Sequence, residues 1–338
     1  MAGPAEPLKP QDVIKTYRYL RIGMIGAVVF LAASIAIERS KVDCWQTSIS
    51  AYYYTPVRAI FVGSLIAIGL SLIVYKGRST WEDVFLNFAG MFAPVVAIAP
   101  TTDVGKCWSL APTPRPLGAD GSLNEWVVTN IDNNINALLI AGVVGLIVAA
   151  IIAIVVILKN ARKARKKGLS WRKSVLARVE RDEVEEGDVK KDGRGTILSL
   201  VVTFLVLLIG WLLIENWGDF NTRAHGFAAL LTFVFLIGAI VAKVREQHWD
   251  QRDKWFWIYT TVAGLMVLGG ILISTMRMFG EHTVYALETY ELALFAFYWI
   301  VQTAENWKEK VIPTEPVGAE AGVGQRDEAR AAPRVEGG

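Results

Sequence analysis

Five polar side chains near the C-terminus, Glu288, Glu291, Tyr298, Gln302 and Glu305, are separated by 3, 7, 4 and 3 residues, which places them on one face of a helix. Leu292, Ala293 and Ala296 occupy the other face. The surrounding stretch is apolar enough to be read as a membrane span, with Glu291 roughly 12 Å below its outer end at 1.5 Å per residue. An ionisable group at such a depth costs roughly 2.5–3.5 kcal/mol on insertion scales. It must be protonated, paired with a cation or wetted by a cavity. The cations offered by the sequence are Arg58 and Arg277. Glu291 therefore reads either as a ligand- or proton-binding carboxylate or as half of an ion pair joining helices.

Other polar groups fall at the same level. Ser48-Ile49-Ser50-Ala51-Tyr52-Tyr53-Tyr54-Thr55-Pro56-Val57-Arg58 leads into a second apolar run, Asp103 follows a third, and Asp132, Asn133 and Asn134 open a fourth. Asp219, Asn221 and His225 precede or open a sixth, and His282 opens the eighth. A tyrosine run at a span boundary is either an interfacial aromatic belt or the lining of a site, and the serines and Thr55 can cap the second helix. The candidate ligand-binding set is Ser48, Ser50, Tyr52, Tyr53, Tyr54, Arg58, Asp103, Asp132, Asn133, His225, His282, Glu288 and Glu291.

Three chemistries compete for this set. Binding or transport of a small solute or lipid uses carboxylates near the midplane and interrupted helices, and Asn87 and Pro94 in the third run suit it. A metal-dependent intramembrane lipid hydrolase needs about three His or carboxylate ligands and an open position for water. His225 and His282 are its weak metal candidates, but no HxxxH or HExxH spacing exists. The third reading is a structural or assembly protein with buried polar packing. Haem ligation would need paired histidines on facing helices; one outer pair is available, nothing matches it across the bilayer, and His248, in an inner loop, cannot join the metal candidates. No phosphate-cradling loop, nucleophile elbow or CxxC is present, and no cofactor is assigned.

SISAYYYTPVRAIFVG, Ser48–Gly63, resembles the signature of a group of bacterial multi-pass membrane proteins to which no activity is attached. Pro100-Thr101 at the end of the third run matches the same group, and the likeness covers about residues 45–102. The resemblance implies a shared membrane fold and importance for Tyr52 to Tyr54 and Arg58.

The elements that position these groups are apolar runs. The chain has 338 residues, is 53% hydrophobic, and includes two uncharged stretches, 137–158 and 255–276, each long enough to cross a 30 Å hydrocarbon core. The expected fold is all-α, a bundle of about eight transmembrane helices near 20–37, 59–75, 84–102, 134–158, 196–214, 225–242, 255–275 and 283–304. Helices follow because lipid leaves no unpaired backbone group unpunished. The first run is read as a retained anchor rather than a cleaved signal, and Pro94 is expected to kink the third.

With the N-terminus inside, 28 of the 35 Lys and Arg fall on the inner side, so the positive-inside rule puts both termini in the cytoplasm of a cell with an inner, plasma membrane. Cys44 and Cys107, the two cysteines, then share the oxidising side and are expected to form a disulfide. Residues 1–19 form an inner arm and 305–338 a disordered inner tail. The basic loop 159–195 carries Trp171, Val175 and Val179 at i+4, a pattern that suits anionic lipid headgroups over 159–181 as well as it suits a solvated loop. Nucleic-acid binding is a poor reading of such unevenly placed charge. The oligomeric state is left open.

Overall fold

The structure is a computed structural model and describes residues 10–77, 79–107, 115–118, 120–166, 200–201, 203–212, 216, 220–246, 253–276 and 279–308. Arg277, Asp219, the Trp171–Val179 pattern and the tail from 309 onward lie outside the described residues. Among the described residues the regular structure is helical, with no strand beyond one isolated bridge, Leu117 to Leu123.

Eight helices follow in order: α1 Pro10–Val42, α2 Arg58–Val74, α3 Thr80–Ile98, α4 Glu125–Lys166, α5 Thr203–Leu212, α6 Phe220–Glu246, α7 Lys254–Met276 and α8 Thr283–Glu305. Six of them, all but α2 and α5, are long and apolar enough to cross a membrane. The third helix ends at Ile98 rather than 102, because Pro100 bars the helical conformation at the residue before it. The eighth, whose apolar run is interrupted by Glu288 and Glu291, is a full helix.

Six helices, α1, α2, α3, α6, α7 and α8, make the packed bundle. α4 joins it by Val127, Ile131 and Ile135, buried at a four-residue interval, while Ile140, Ile147, Ile151 and Leu158 further along are more than half exposed. α5 leans on α4, with Leu207 against Gly142.

α2 and α3 approach closely at a pair of glycines. A Cβ built on Gly69 would lie 2.8 Å from the Gly90 carbonyl oxygen and 2.8 Å from Pro94 Cδ, and one on Gly90 would meet the Gly69 carbonyl oxygen at 2.6 Å. Proline at 94 has no N–H for the carbonyl of Gly90, so that oxygen is turned to the neighbouring helix instead. Only glycine fits either position.

Chain direction sorts the two ends of the bundle. At one end Cys44 is bonded to Cys107, a closure across 63 residues of sequence. At the other, Arg18 and Arg21 of α1 meet the end of α8: Arg18 donates to the Trp307 carbonyl (2.6 Å) and Arg21 to that of Gln302 (3.4 Å). Glu82 of α3 and Lys243 of α6 reach the same end. The start of α1, the turn after α2, the end of α6 and the end of α8 therefore share one end. We refer to the disulfide end and the basic end.

Candidate functional site

Between α1 and α2 the chain folds back into the disulfide end. Gln46 is fully buried and its Oε1 accepts from the backbone N–H of Lys106 (2.7 Å) and Cys107 (3.2 Å), fixing the segment beside the disulfide. A 3₁₀ helix, Ser50–Tyr54, follows with every residue buried. The serines serve this turn rather than α2: Ser48 Oγ accepts from Ala51 N–H at 3.0 Å, whereas no side chain caps α2 at Val57.

The turn delivers Ser50 to α8. Glu288 accepts from Ile49 N–H (2.6 Å), Ser50 N–H (3.3 Å) and Ser50 Oγ (2.8 Å). Ser50 has one hydroxyl proton, so with that proton on Glu288 its 3.2 Å contact with Ser48 runs with Ser48 as donor.

Behind Ser50 and Glu288 opens a cavity of about 70 Å³, walled by Phe61, Leu65, Ile68 and Leu72 of α2, with α1, α3, α6 and α8 completing it. It connects the two halves of the core, since Leu31, Ile49 and Phe61 belong to the cluster at the disulfide end and Ile68, Leu72 and Phe295 to the other. From Phe61 to Leu72 the helical rise is roughly 16 Å. The third polar lining group, Thr232, donates to its own helix at Ala228 (2.8 Å), so the polarity not committed to a host helix sits at one end. Tyr298 and Trp299, fully buried, stand one turn beyond Phe295.

The remaining predicted residues scatter around this mouth. Arg58 donates to the Tyr53 hydroxyl (2.6 Å) and lies 4.3 Å from the centre of that ring; it does not pair with Glu291, contrary to the expectation from sequence, because the tyrosine is nearer along the chain. Burial raises the Tyr53 phenol above its ordinary range, the nearby guanidinium opposing it, and raises Tyr54 further. Tyr54 donates to the Thr101 carbonyl (2.7 Å) and Tyr52 packs on Tyr285 with ring centres 6.4 Å apart. Asp103 is exposed and braces its loop by accepting from Thr47 (2.8 Å). Asp132 is half-buried and Asn133 exposed.

The two histidines do not meet at one site. His225 is buried with Nδ1 2.7 Å from the Ala99 carbonyl, and His282 is half-buried with Nδ1 3.1 Å from that of Gln46. Among the described residues no three His, Cys, Asp or Glu side chains form a metal-binding group.

A second polar centre, unforeseen from the sequence, lies at the basic end. Lys243 donates to Glu305 (2.7 Å) and Tyr259 donates to the same oxygen (2.6 Å), with both charged side chains less than a tenth exposed. Beside it Gln302 contacts the buried Glu82 (3.5 Å) and bonds the Tyr298 hydroxyl (3.0 Å). Lys243 and Glu82 stand at the ends of apolar runs, where they read as loop charges. Only the continuation of the α8 polar face to Glu305 pointed there.

No family model, curated protein or solved structure matches the chain.

Proposed function

We propose that this chain is a polytopic membrane protein of a plasma (inner) membrane, with the disulfide end outside and both termini inside. In this reading the bundle binds a lipid-like molecule. The apolar portion of the guest occupies the cavity between α2, α3, α6 and α8, and its head donates hydrogen bonds to the Ser50–Glu288 pair. Support for the membrane comes from six helices of spanning length and from the broad exposed apolar face of α4, which water would oppose. The likeness of Ser48–Gly63 to bacterial multi-pass proteins belongs to this proposal, as does contact of the 159–181 region with anionic lipid.

One observation carries the ligand class: the cavity walls are apolar along their length, and the polar groups not committed to their own helix, Ser50 and Glu288, stand together at one end. A polar solute would leave its hydrogen bonds unmade against such walls. An amphipathic one loses nothing there.

The test is analysis of lipid retained by protein purified in mild detergent. Ala229→Phe, which places a ring in the cavity, is expected to remove a lipid that wild type retains, while the exposed-face control Ile147→Phe keeps it. Equal retention by wild type and Ala229→Phe would refute the reading.

A further inference from the structure

Glu291 follows Glu288 by three residues on α8 but faces α7 rather than the cavity. It is 5% exposed. One of its oxygens, Oε1, lies where a Cβ on Gly270 would come within 3.0 Å, so the carboxyl group rests on bare α7 backbone. The other, Oε2, has no hydrogen-bond partner.

Among the described residues, the surroundings contain nothing to neutralise a negative charge. α8 packs against α7 and α1. On α7, every residue between Tyr259 and Met276 is free of titratable groups, and Tyr259 is engaged at the basic end with Lys243 and Glu305. On α1 the residues between Arg21 and Glu38 carry no charge. On α8 itself the neighbours are Glu288, satisfied by Ser50 and two backbone N–H groups, and Tyr290, whose hydroxyl donates to the Leu265 carbonyl (2.8 Å). Tyr298, two turns on, is bonded to Gln302. Arg58 is held on Tyr53. An ionised carboxylate set in apolar packing without a cation or a donor is far costlier than the neutral acid.

We propose that Glu291 is a proton-binding site in the interior of the bundle. The group holds its proton while α7 and α8 are packed at Gly269–Gly270. It releases that proton only where the seam opens to water. The charge balance is simple: the packed state carries a neutral acid, the opened state a carboxylate and a proton delivered to solvent. This site does not depend on what occupies the cavity, so it survives failure of the lipid reading.

Protonation is read by infrared difference spectroscopy of the full chain in lipid nanodiscs at pH 7, wild type minus E291Q. The expected result is an acid carbonyl band in wild type that is lost in E291Q, with a folded variant of unchanged thermal midpoint, since glutamine reproduces the neutral acid. A carboxylate doublet in place of the acid band would overturn the proposal. So would an E291Q protein that cannot fold, because the neutral isostere must then lack something the charge supplies. In a separate arm, dicyclohexylcarbodiimide is added to wild type at pH 7. The acid adds across the reagent, its oxygen bonding to the central carbon and its proton passing to nitrogen, and an acyl shift leaves a stable N-acylurea on Glu291. Peptide mass mapping is expected to find that adduct, and its absence at Glu291 overturns the claim.

Discussion

Ser50 Oγ and Glu288 Oε1 meet at 2.8 Å although 238 residues separate them, and the contact joins the fold-back turn after α1 to the last helix of the bundle. It also closes one end of the apolar cavity. The same two residues are thus a structural clasp and the polar head of the candidate site.

Ser50→Ala removes one of three donors to a part-buried carboxylate and is expected to cost about 1–3 kcal/mol. Glu288→Gln costs a similar amount, because its amide nitrogen faces donors that had faced an acceptor. The two residues share one bond, so the double variant should lose less than the sum of the singles. Thermal unfolding of the four proteins in detergent measures the cycle, and strict additivity would mean the clasp contributes nothing.

Why is this clasp only half legible in the sequence? The spacing of Glu288 with Glu291 and Glu305 marks it in the sequence, because a helix period is a local property. Ser50 stands out in the sequence only as a polar residue at a boundary. Its partner lies on another helix, and no local pattern encodes that register. The Lys243–Glu305–Tyr259 centre was hidden for the same reason: charges at the ends of runs look solvated until the helices converge on them. The Cys44–Cys107 bond was legible because two cysteines on one side allow a single pairing. The cavity was not, since apolar residues that line a void carry the same signature as those that fill one.

At the basic end, Lys243→Met is expected to destabilise the protein by about 3–5 kcal/mol, because it removes the Lys243 ammonium from the buried Glu305 carboxylate. Lys243→Met combined with Glu305→Met should regain most of that loss, since a well-packed apolar pair is often as stable as a buried ion pair. A double variant as unstable as the single would show that the centre is held by geometry rather than charge. Chemical denaturation in mixed micelles distinguishes the outcomes.

Glycine positions give a test with an internal control. Gly69→Ala drives a methyl group into the Gly90 carbonyl and Pro94, neither of which can swing aside, and should cost about 1–3 kcal/mol. Gly63 lies on the same helix with nothing within 4 Å of its added Cβ, so Gly63→Ala should fall within about 0.5 kcal/mol of wild type or gain slightly from helix propensity. Comparable thermal midpoints for the two variants would contradict the close α2–α3 contact.

The disulfide connects stability to orientation. Closing 63 residues of chain, it should contribute about 2–4 kcal/mol by restricting the unfolded ensemble. Cys44→Ser, Cys107→Ser and the double variant should therefore share one lowered midpoint, as each removes the same bond. The bond persists only where the compartment is oxidising. A phosphatase reporter that is active only outside should work when fused after Lys106 and fail when fused after Lys76, which belongs to the basic end. The reverse pattern would put both thiols in the reducing compartment, and the bond in cell-extracted protein would then be open. Non-reducing electrophoresis after rapid alkylation reads that directly, so the sulfur chemistry and the reporter check each other on which end of the bundle faces out.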